Sequence, residues 1–565
     1  MTNPQQLEIN LEGQTLSVKY GKRILDIFNR YLPKGELSDS VLPAGHQSGV
    51  LAAKLNQRVV SLDTPINFTC RLTPLFLEDR EGAAVYRRSV CLLLYEAIKE
   101  LYPEARVVVG QSLAGGYYFD LESQTQPLPD ALPEIETRMR RIVAEKRPFV
   151  RSITTSEEAC RRFAQEGYED KVKLLNSTRW VEVRLVGCGV FQDIQHGPVV
   201  PHTGYLERFS LFLMPPGFIL QFPTSGNIFE RADGSPYQSL FQIYLETKVW
   251  NQILGVTNVG TLNEACLSGE IGEVIKIAEG FQEKKIAGFA DEVSKRRDRV
   301  RLVLIAGPSS SGKTTFSKRL MVQLRVNGLR PVTLGTDNYF VNREQTPLDD
   351  YGQPDLESLK AVDTALFNEH LDALLAGRSV NVPVFDFPSG TRAERVMPMQ
   401  LGENDILIVE GIHGLNPELT QSVPLEKKLK IYISALTQLS LDDHNRIMTA
   451  DIRLLRRIVR DRAFRGYNAS KTIAMWLSVL RGERKNIFPY QSEADLVFNS
   501  SLVYEPAALR PFAERYLLEV PMDDDNFGQA YRLLQFVRMF VPIFPDEIPH
   551  TSILREFIGG SSFDY

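Results

Sequence analysis

Cysteine is scarce in these 565 residues. Cys70, Cys91, Cys160, Cys188 and Cys266 are odd in number and form no CxxC pair, which excludes a disulfide framework and points to reduced thiols in a cytoplasmic protein. Long apolar runs are lacking too, since nothing approaches the roughly 18 uninterrupted apolar residues of a membrane span. The opening segment MTNPQQLEINLEGQ has neither a basic nor an apolar region, so nothing in it reads as an export signal. Internal repeats and low-complexity tracts are absent. So is strong charge of one sign. A formal net charge of -5 argues against a general nucleic-acid coat and leaves only a local basic surface open.

What is present is the composition of a folded protein: 43% apolar and 24% charged residues exclude a mainly disordered or fibrous chain. At about 100–200 residues per domain, the length implies three or four domains. Residues 7–66 alternate apolar and polar in LEINLEGQTLSVKY and LAAKLNQRVVSLDTPI, with turn signals at Glu12-Gly13 and Asn56-Gln57. That pattern predicts a small β-rich domain with one helix near 23–31. Residues 88–101 read as a helix carrying Val90, Leu93, Leu94, Ala97 and Ile98 on one face. Strands are expected at 106–109 and 117–121, helices near 132–145 and 156–167, and a pair of connecting helices over 262–296. Residues 224–260 show little pattern. At Arg299 the regime changes: VRLVLIAG is a buried strand, followed by a Gly-rich turn, a helix over 314–326 and the strand PVTLGTD. Strands alternating with helices imply a parallel α/β sheet to about Tyr504, and the remainder reads as helical and apolar.

The Gly-rich turn is the strongest motif. Gly307-Pro308-Ser309-Ser310-Ser311-Gly312-Lys313-Thr314, followed by Thr315, fits G-x-x-x-x-G-K-[ST] between a strand and a helix. Glycines let backbone N–H groups curl around phosphate, the lysine reaches the β/γ oxygens, and the Thr314 hydroxyl suits Mg²⁺. The helix that follows turns its positive end to the same anions. Asp405-Ile-Leu-Ile-Val-Glu410 is an apolar strand ending in a carboxylate, where a second metal-site acid belongs.

Three features separate a kinase from a switch or motor, and no Asn-Lys-x-Asp segment supports a GTPase. Thr336-Asp337-Asn338-Tyr339-Phe340 closes the next strand with an acid able to orient an attacking hydroxyl and accept its proton. Pro383-Val384-Phe385-Asp386-Phe387, with Arg392, sets aromatics around an acid in a loop, which suits a pocket for a ring and its hydroxyls. Arg453, Arg456, Arg457 and Arg460 share one helix face opposite Ile452, Leu455, Ile458 and Val459, with Arg462 and Arg465 beyond. Such a row can clamp a transferring phosphoryl group as a lid does.

In the order GPSSSGKTT, TDNYF, PVFDFPSGTR, IVEGI, RLLRRIVRDRAFRG and ADLVFNS, residues 299–504 resemble the uridine kinase/phosphoribulokinase family of P-loop kinases. The resemblance implies ATP as donor and Mg²⁺ as its metal. Asp337 would be the general base, with Lys313, Arg457 and Arg460 acting on the phosphoryl group. Gly307, Ser309, Ser310, Ser311, Gly312, Lys313, Thr314 and Thr315 would bind nucleotide, and Thr314 and Glu410 would hold the metal. Tyr339, Phe385, Asp386, Phe387, Arg392 and Arg465 would line the acceptor side. The departures fall where the acceptor is chosen: the family's pocket tyrosine is Phe385, its histidine is Gly390, and its ribose-binding acid aligns with Gly352. Asp349, Asp350 and Asp355 are the nearby acids that could substitute. Losing hydrogen-bonding groups at a reading site shifts selectivity.

Residues 7–66 resemble a TGS domain, the β-grasp module at the start of threonyl-tRNA synthetases. Residues 71–215 resemble the editing domain of the same enzymes, in YRRSVCLLLYEAIKELYPEARVVVGQSLAGGYYFDL and DIQHGPVVPHTGYLERFSL. The family's editing ligands are not carried over, because their positions hold Arg88, Leu92, Gln195 and Val199, none of which supplies an imidazole or thiol. His196 and His202 lie nearby but off register.

The expected fold class is therefore multidomain α/β and α+β. A TGS-like β-grasp domain (1–67) is followed by an α+β editing-like domain without its ligands (68–225) and a linker with connecting helices (226–297). A parallel α/β P-loop kinase domain with a helical lid (298–505) and a helical tail (506–565) complete the chain. The expected activity is ATP-dependent phosphorylation of a hydroxyl on a nucleoside or related small metabolite, in the cytoplasm and off the membrane. The alternatives are a nucleotide-gated RNA- or ribosome-associated binding protein, or a kinase of a non-nucleoside sugar or alcohol. The N-terminal domains leave room for RNA or a regulatory ligand, and the sequence leaves room for a homo-oligomer.

Overall fold

The computed structural model describes residues 6–32, 49–113, 115–122, 128–225, 238–348, 352, 354–355, 357–386, 389–437 and 439–564. The chain divides into two compact units. One comprises 1–237 with the short segments 258–261 and 440–446; the other holds 238–257, 262–439 and 447–565.

The first unit opens with the hairpin Gln6–Leu11/Gln14–Lys19, whose turn places Glu12 and Gly13 at positive φ. Cys70–Leu75 pairs parallel to the first strand, and Ala52–Leu55 and Arg58–Val60 extend the sheet to five strands. Helix Ile24–Tyr31 lays Ile24, Ile27 and Phe28 onto the sheet in one apolar core with Leu7, Ile9 and Leu72. A parallel pair bridged by a helix across a mixed sheet is the β-grasp layout. Next comes the 22-residue helix Arg80–Leu101, buried along most of its length. It packs in a second core with the antiparallel strands Arg106–Leu113, Gly116–Glu122, Ser210–Met214 and Gly217–Gln221 and with helix Leu128–Ala144. A three-stranded sheet, Val150–Thr155/Glu182–Cys188/Phe191–Ile194, carries helices Ser156–Gln165 and Glu169–Thr178.

The second unit is built on a five-stranded parallel sheet in the order Arg330–Gly335, Asp405–Glu410, Leu302–Ala306, Lys428–Ser434, Leu496–Asn499. Leu302–Ala306 is central and wholly buried, as its unbroken apolar run requires of a strand covered on both faces. Helix Lys313–Val326 follows it, anchored to helix Ile271–Lys295 through Arg319, which pairs with Glu279 and Glu283. Residues 238–253, which carry little sequence pattern, form a helix, Gln238–Ile253.

One expectation needs correcting. Pro383, Val384, Phe385 and Asp386 are not in a loop; they end the strand Val380–Asp386, paired antiparallel with Thr391–Met399. Val382 and Pro383 are buried beneath this hairpin, and cross-strand pairing, invisible in a five-residue window, sets the conformation. Phe387 lies outside the described residues, as do Asp349 and Asp350.

Among the described residues, no helix is long and apolar enough to cross a membrane. All five cysteines are free thiols.

Candidate active site

Parallel pairing brings three strand ends to one level. Ile305 registers with Glu410, and Glu410 with Gly335. The loops that leave these strands are the P-loop, Glu410-Gly411 and Thr336-Asp337, so the sheet itself gathers them at its C-terminal edge. The approach is tight. A Cβ on Gly411 would stand 1.9 Å from Thr336 Oγ1, and the Thr336 hydroxyl donates to the Glu410 carbonyl at 3.2 Å.

The P-loop curls as its glycines allow. Gly312 caps the following helix with φ +83°, and a Cβ on Gly307 would fall 2.2 Å from the Ile433 carbonyl oxygen. Lys313 Nζ rests on the Pro308 carbonyl at 3.1 Å. The Thr314 hydroxyl donates to Glu410 Oε1 at 2.8 Å. Recessed behind this bond, the Glu410 carboxyl is pushed up to about 7 by burial, against the pull of Lys313 and Thr314. Burial likewise pushes the Lys313 ammonium down, although Glu410, Glu556 and Asp337 draw it up. A hydroxyl beside a carboxylate is a hard-oxygen pair of the kind Mg²⁺ takes.

Asp337 stands at the lip of the site in a single 3₁₀ turn, Thr336–Tyr339. The surrounding walls push its carboxyl up, opposed by Lys313 and Arg465; because the side chain still reaches solvent, that push is screened.

The arginine row lies on helix Thr449–Phe464, and its members divide. Arg456 is fully buried and pairs with equally buried Glu505, while Arg453 pairs with Glu483 and donates to the Ser309 carbonyl. These two fix the helix to the P-loop. Arg457 donates to Ser309 Oγ at 3.0 Å, and Arg460 is held by Asp461. Burial and Arg465 push Arg460 down to about 10. The half-exposed Arg465 also pairs with Asp461. Arg457 thus reaches the loop directly, and Arg457, Arg460 and Arg465 share the single carboxylate of Asp461.

On the acceptor side the structure gathers less. Tyr339 is fully buried with its hydroxyl on His370 Nδ1 at 2.8 Å, a core position. Arg392 is spent on the Tyr339 and Phe340 carbonyls and on Asp363. Asp386 is exposed and accepts from the Ser389 amide, closing the hairpin turn, while Phe385 sits edge-on to Phe340.

Three acids at the loop escaped sequence reasoning: Glu483, which accepts from the Ser309 amide at 3.1 Å, Glu357 and Glu556. Glu357 packs against Gly482, where a Cβ would come within 2.5 Å of its own, and its Oε2 has no hydrogen-bond partner among the described residues. Burial and Glu483 push its carboxyl up to about 7. No local motif marks any of the three; they arrive from distant helices and loops.

The first unit holds a different charged cluster. Lys171 Nζ lies 2.7 Å from Asp193 and 2.8 Å from Asp442, with all three side chains at 2% exposure or less. His196 Nε2 adds a contact to Asp442 at 3.2 Å. At the editing-ligand positions, Arg88 donates to the Pro198 carbonyl, Leu92 and Val199 lie in the apolar core, and Gln195 donates to the Gly197 carbonyl.

Comparison with known proteins bears on both regions. Residues 302–504 match the Phosphoribulokinase / Uridine kinase family. The N-terminal region matches threonine–tRNA ligases. That of Maridesulfovibrio salexigens is 33% identical over 178 residues, 31% of this chain and 28% of that protein. That of Desulforamulus reducens is 35% identical over 164 residues, 28% and 26% respectively. The chain thus spans just over a quarter of the length of these relatives. A solved structure described as a possible uridine kinase from Bacillus stearothermophilus aligns over 37% of this chain and 97% of its own, at 16% identity and a TM-score of 0.26, too low to bear on fold or function.

Proposed function

We propose that the second unit transfers the γ-phosphoryl group of ATP to a hydroxyl of a small metabolite, with a nucleoside as the first acceptor class to test. The observation that carries this reading is the convergence of three strand ends, which sets the P-loop, the Thr314–Glu410 pair and Asp337 around one Lys313. The kinase-family match over 302–504 supports it.

In this reading the P-loop amides, Ser309 to Thr315, cradle the phosphate chain and Lys313 neutralises its oxygens. Thr314 and Glu410 would hold Mg²⁺, which when bound supplies positive charge to the β/γ-phosphates. Asp337 orients the acceptor hydroxyl and takes its proton; its open position at the lip is where an acceptor can enter. Arg457, Arg460 and Arg465 face the charge that spreads over the transferring group. Arg453 and Arg456 act as positioning residues, since their charges are already neutralised by Glu483 and Glu505. Phe385, Gly390 and Gly352 stand where the family it resembles carries hydrogen-bonding side chains, which keeps a sugar or alcohol acceptor in the same test.

The test is ADP release by the full chain with Mg²⁺-ATP across a panel of nucleosides and sugar alcohols, with Asp337→Asn alongside. Acceptor-dependent turnover that is lost in Asp337→Asn is expected. Silence across the panel with ATP still bound would sink the kinase reading. It would favour the nucleotide-gated RNA-associated reading, which the N-terminal likeness to threonine–tRNA ligases supports.

A further inference from the structure

The last helical turn of the chain, Arg555–Ile558, reaches the start of the P-loop helix. Both the backbone N–H and the hydroxyl of Thr315 donate to Glu556 Oε2, at 3.2 and 2.9 Å. These donors sit in the first turn of helix Lys313–Val326, where the positive end of the helix dipole and free amides draw an anion. They belong to the loop that would cradle a nucleotide's phosphates. Glu556 therefore already fills, with a carboxylate from the chain itself, a place built for phosphate oxygen.

The contact is seated rather than incidental. Ile553 packs on the P-loop glycine so closely that a Cβ on Gly312 would stand 2.6 Å from its Cγ2. Arg555 points the other way and donates to four backbone carbonyls, those of Pro545, Ile548, Pro549 and Gly559, which pins the segment's own turn. The Glu556 carboxylate is also close enough to Lys313 and Arg460 to raise the affinity of both for their protons. So the backbone around Glu556 is pinned by Arg555, while its side chain meets the Thr315 donors and the cations Lys313 and Arg460. Two anions cannot share the Thr315 amide. For phosphate to take it, the Glu556 side chain must turn away.

We propose that Glu556 is a built-in competitor for the nucleotide: its carboxylate occupies the Thr315 donors in the free protein and must yield them when ATP binds, so the C-terminal segment sets nucleotide affinity. This rests on the nucleotide-binding reading of the P-loop and goes beyond it by assigning the site a regulator within the same chain. A competitor that occupies the binding-competent state lowers apparent affinity by the fraction of molecules it blocks.

The experiment is calorimetric titration of Mg²⁺-ATP, and separately of inorganic tripolyphosphate, into full-length wild-type protein, Glu556→Gln and Glu556→Ala. Thermal unfolding confirms that each variant is folded. Removing the negative charge is expected to tighten both ligands about five-fold or more, the lower end of typical coupling between two ligands. Tripolyphosphate shows whether the gain lies at the phosphates rather than the base. If wild type binds ATP and both variants bind equally or more weakly, Glu556 is part of the nucleotide's own support and the competitor proposal falls while the nucleotide site stands. If folded wild type and variants all fail to bind ATP and tripolyphosphate, the P-loop reading falls and takes the proposal with it.

Discussion

Two clusters of buried charge, one in each unit, are compensated in opposite ways. In the first, Lys171 lies fully enclosed between Asp193 and Asp442. Burial alone would raise both carboxyls and lower the ammonium, yet Lys171 holds Asp442 well below the ordinary carboxylate range and the two acids push Lys171 up. In the second, recessed Glu410 and Glu357 are pushed up, and Lys313 is pushed down. The first cluster carries its own counter-ion and asks for nothing. The second is short of compensation on both signs, the condition of a site that completes itself with a charged ligand. Although Asp193, Asp442 and His444 lie close enough together to hold a metal ion, an internal lysine already stands between the two carboxylates.

The contrast breaks most severely at Lys171. Lys171→Met leaves two carboxylates buried without a partner and is expected to cost about 3–5 kcal/mol, read as a fall in the urea midpoint of the first unit's unfolding. An unchanged midpoint would show that the cluster is not the closed system described. At the other site Asp337→Asn is expected to lower turnover about 10²–10⁴-fold while ATP affinity stays within a few-fold; equal loss of both would remove the proton-accepting role.

A pH series sharpens the comparison. A carboxyl whose folded value lies above its unfolded one adds stability that is complete below the unfolded value, near 4.5, and is lost as pH rises through the folded value, about 7 for both Glu410 and Glu357. The ligand-free second unit should therefore lose stability between about pH 4.5 and 7 through these groups. Glu410→Gln and Glu357→Gln should each be more stable than wild type at pH 8, by about 1–3 kcal/mol, in thermal scans without Mg²⁺. Wild type that gains stability over that window, with no gain in either variant, would mean these acids are compensated after all. The smallest effect belongs to the surface. Arg462 pairs with Glu519 where both are about a third exposed or more, and Arg462→Ala should leave the urea midpoint essentially unchanged.

Sequence reasoning could name candidate residues of the second unit where a single segment carries both chemistry and position. The P-loop could be read from its glycines, lysine and flanking strand, and Asp337 and Glu410 from acids that end apolar strands. It failed where position comes from elsewhere. Pro383–Asp386 reads as a loop because nothing local reveals the partner strand that makes it a hairpin. Tyr339 belongs to a promising motif, yet its ring is part of the core and its hydroxyl is satisfied by His370. The arginines share one face by spacing alone, and only their partners separate them. Glu505 and Glu483 neutralise Arg456 and Arg453 one to one, leaving Arg457, Arg460 and Arg465 to share Asp461.

By itself the sequence determined the elements and the groups they bring: an unbroken apolar run must be a covered strand, and a G-x-x-x-x-G-K-T turn after it brings flexible backbone, a lysine and a hydroxyl to one strand end. Tertiary structure alone decided which charges are answered. Lys171 and Asp442 are 271 positions apart in the sequence and Glu556 and Thr315 are 241, so no local pattern links them. Whether a buried carboxylate meets a lysine, a helix amide or nothing depends on which distant side chain the packing delivers. In a low-dielectric interior, that meeting sets whether the group is settled or still needs a partner.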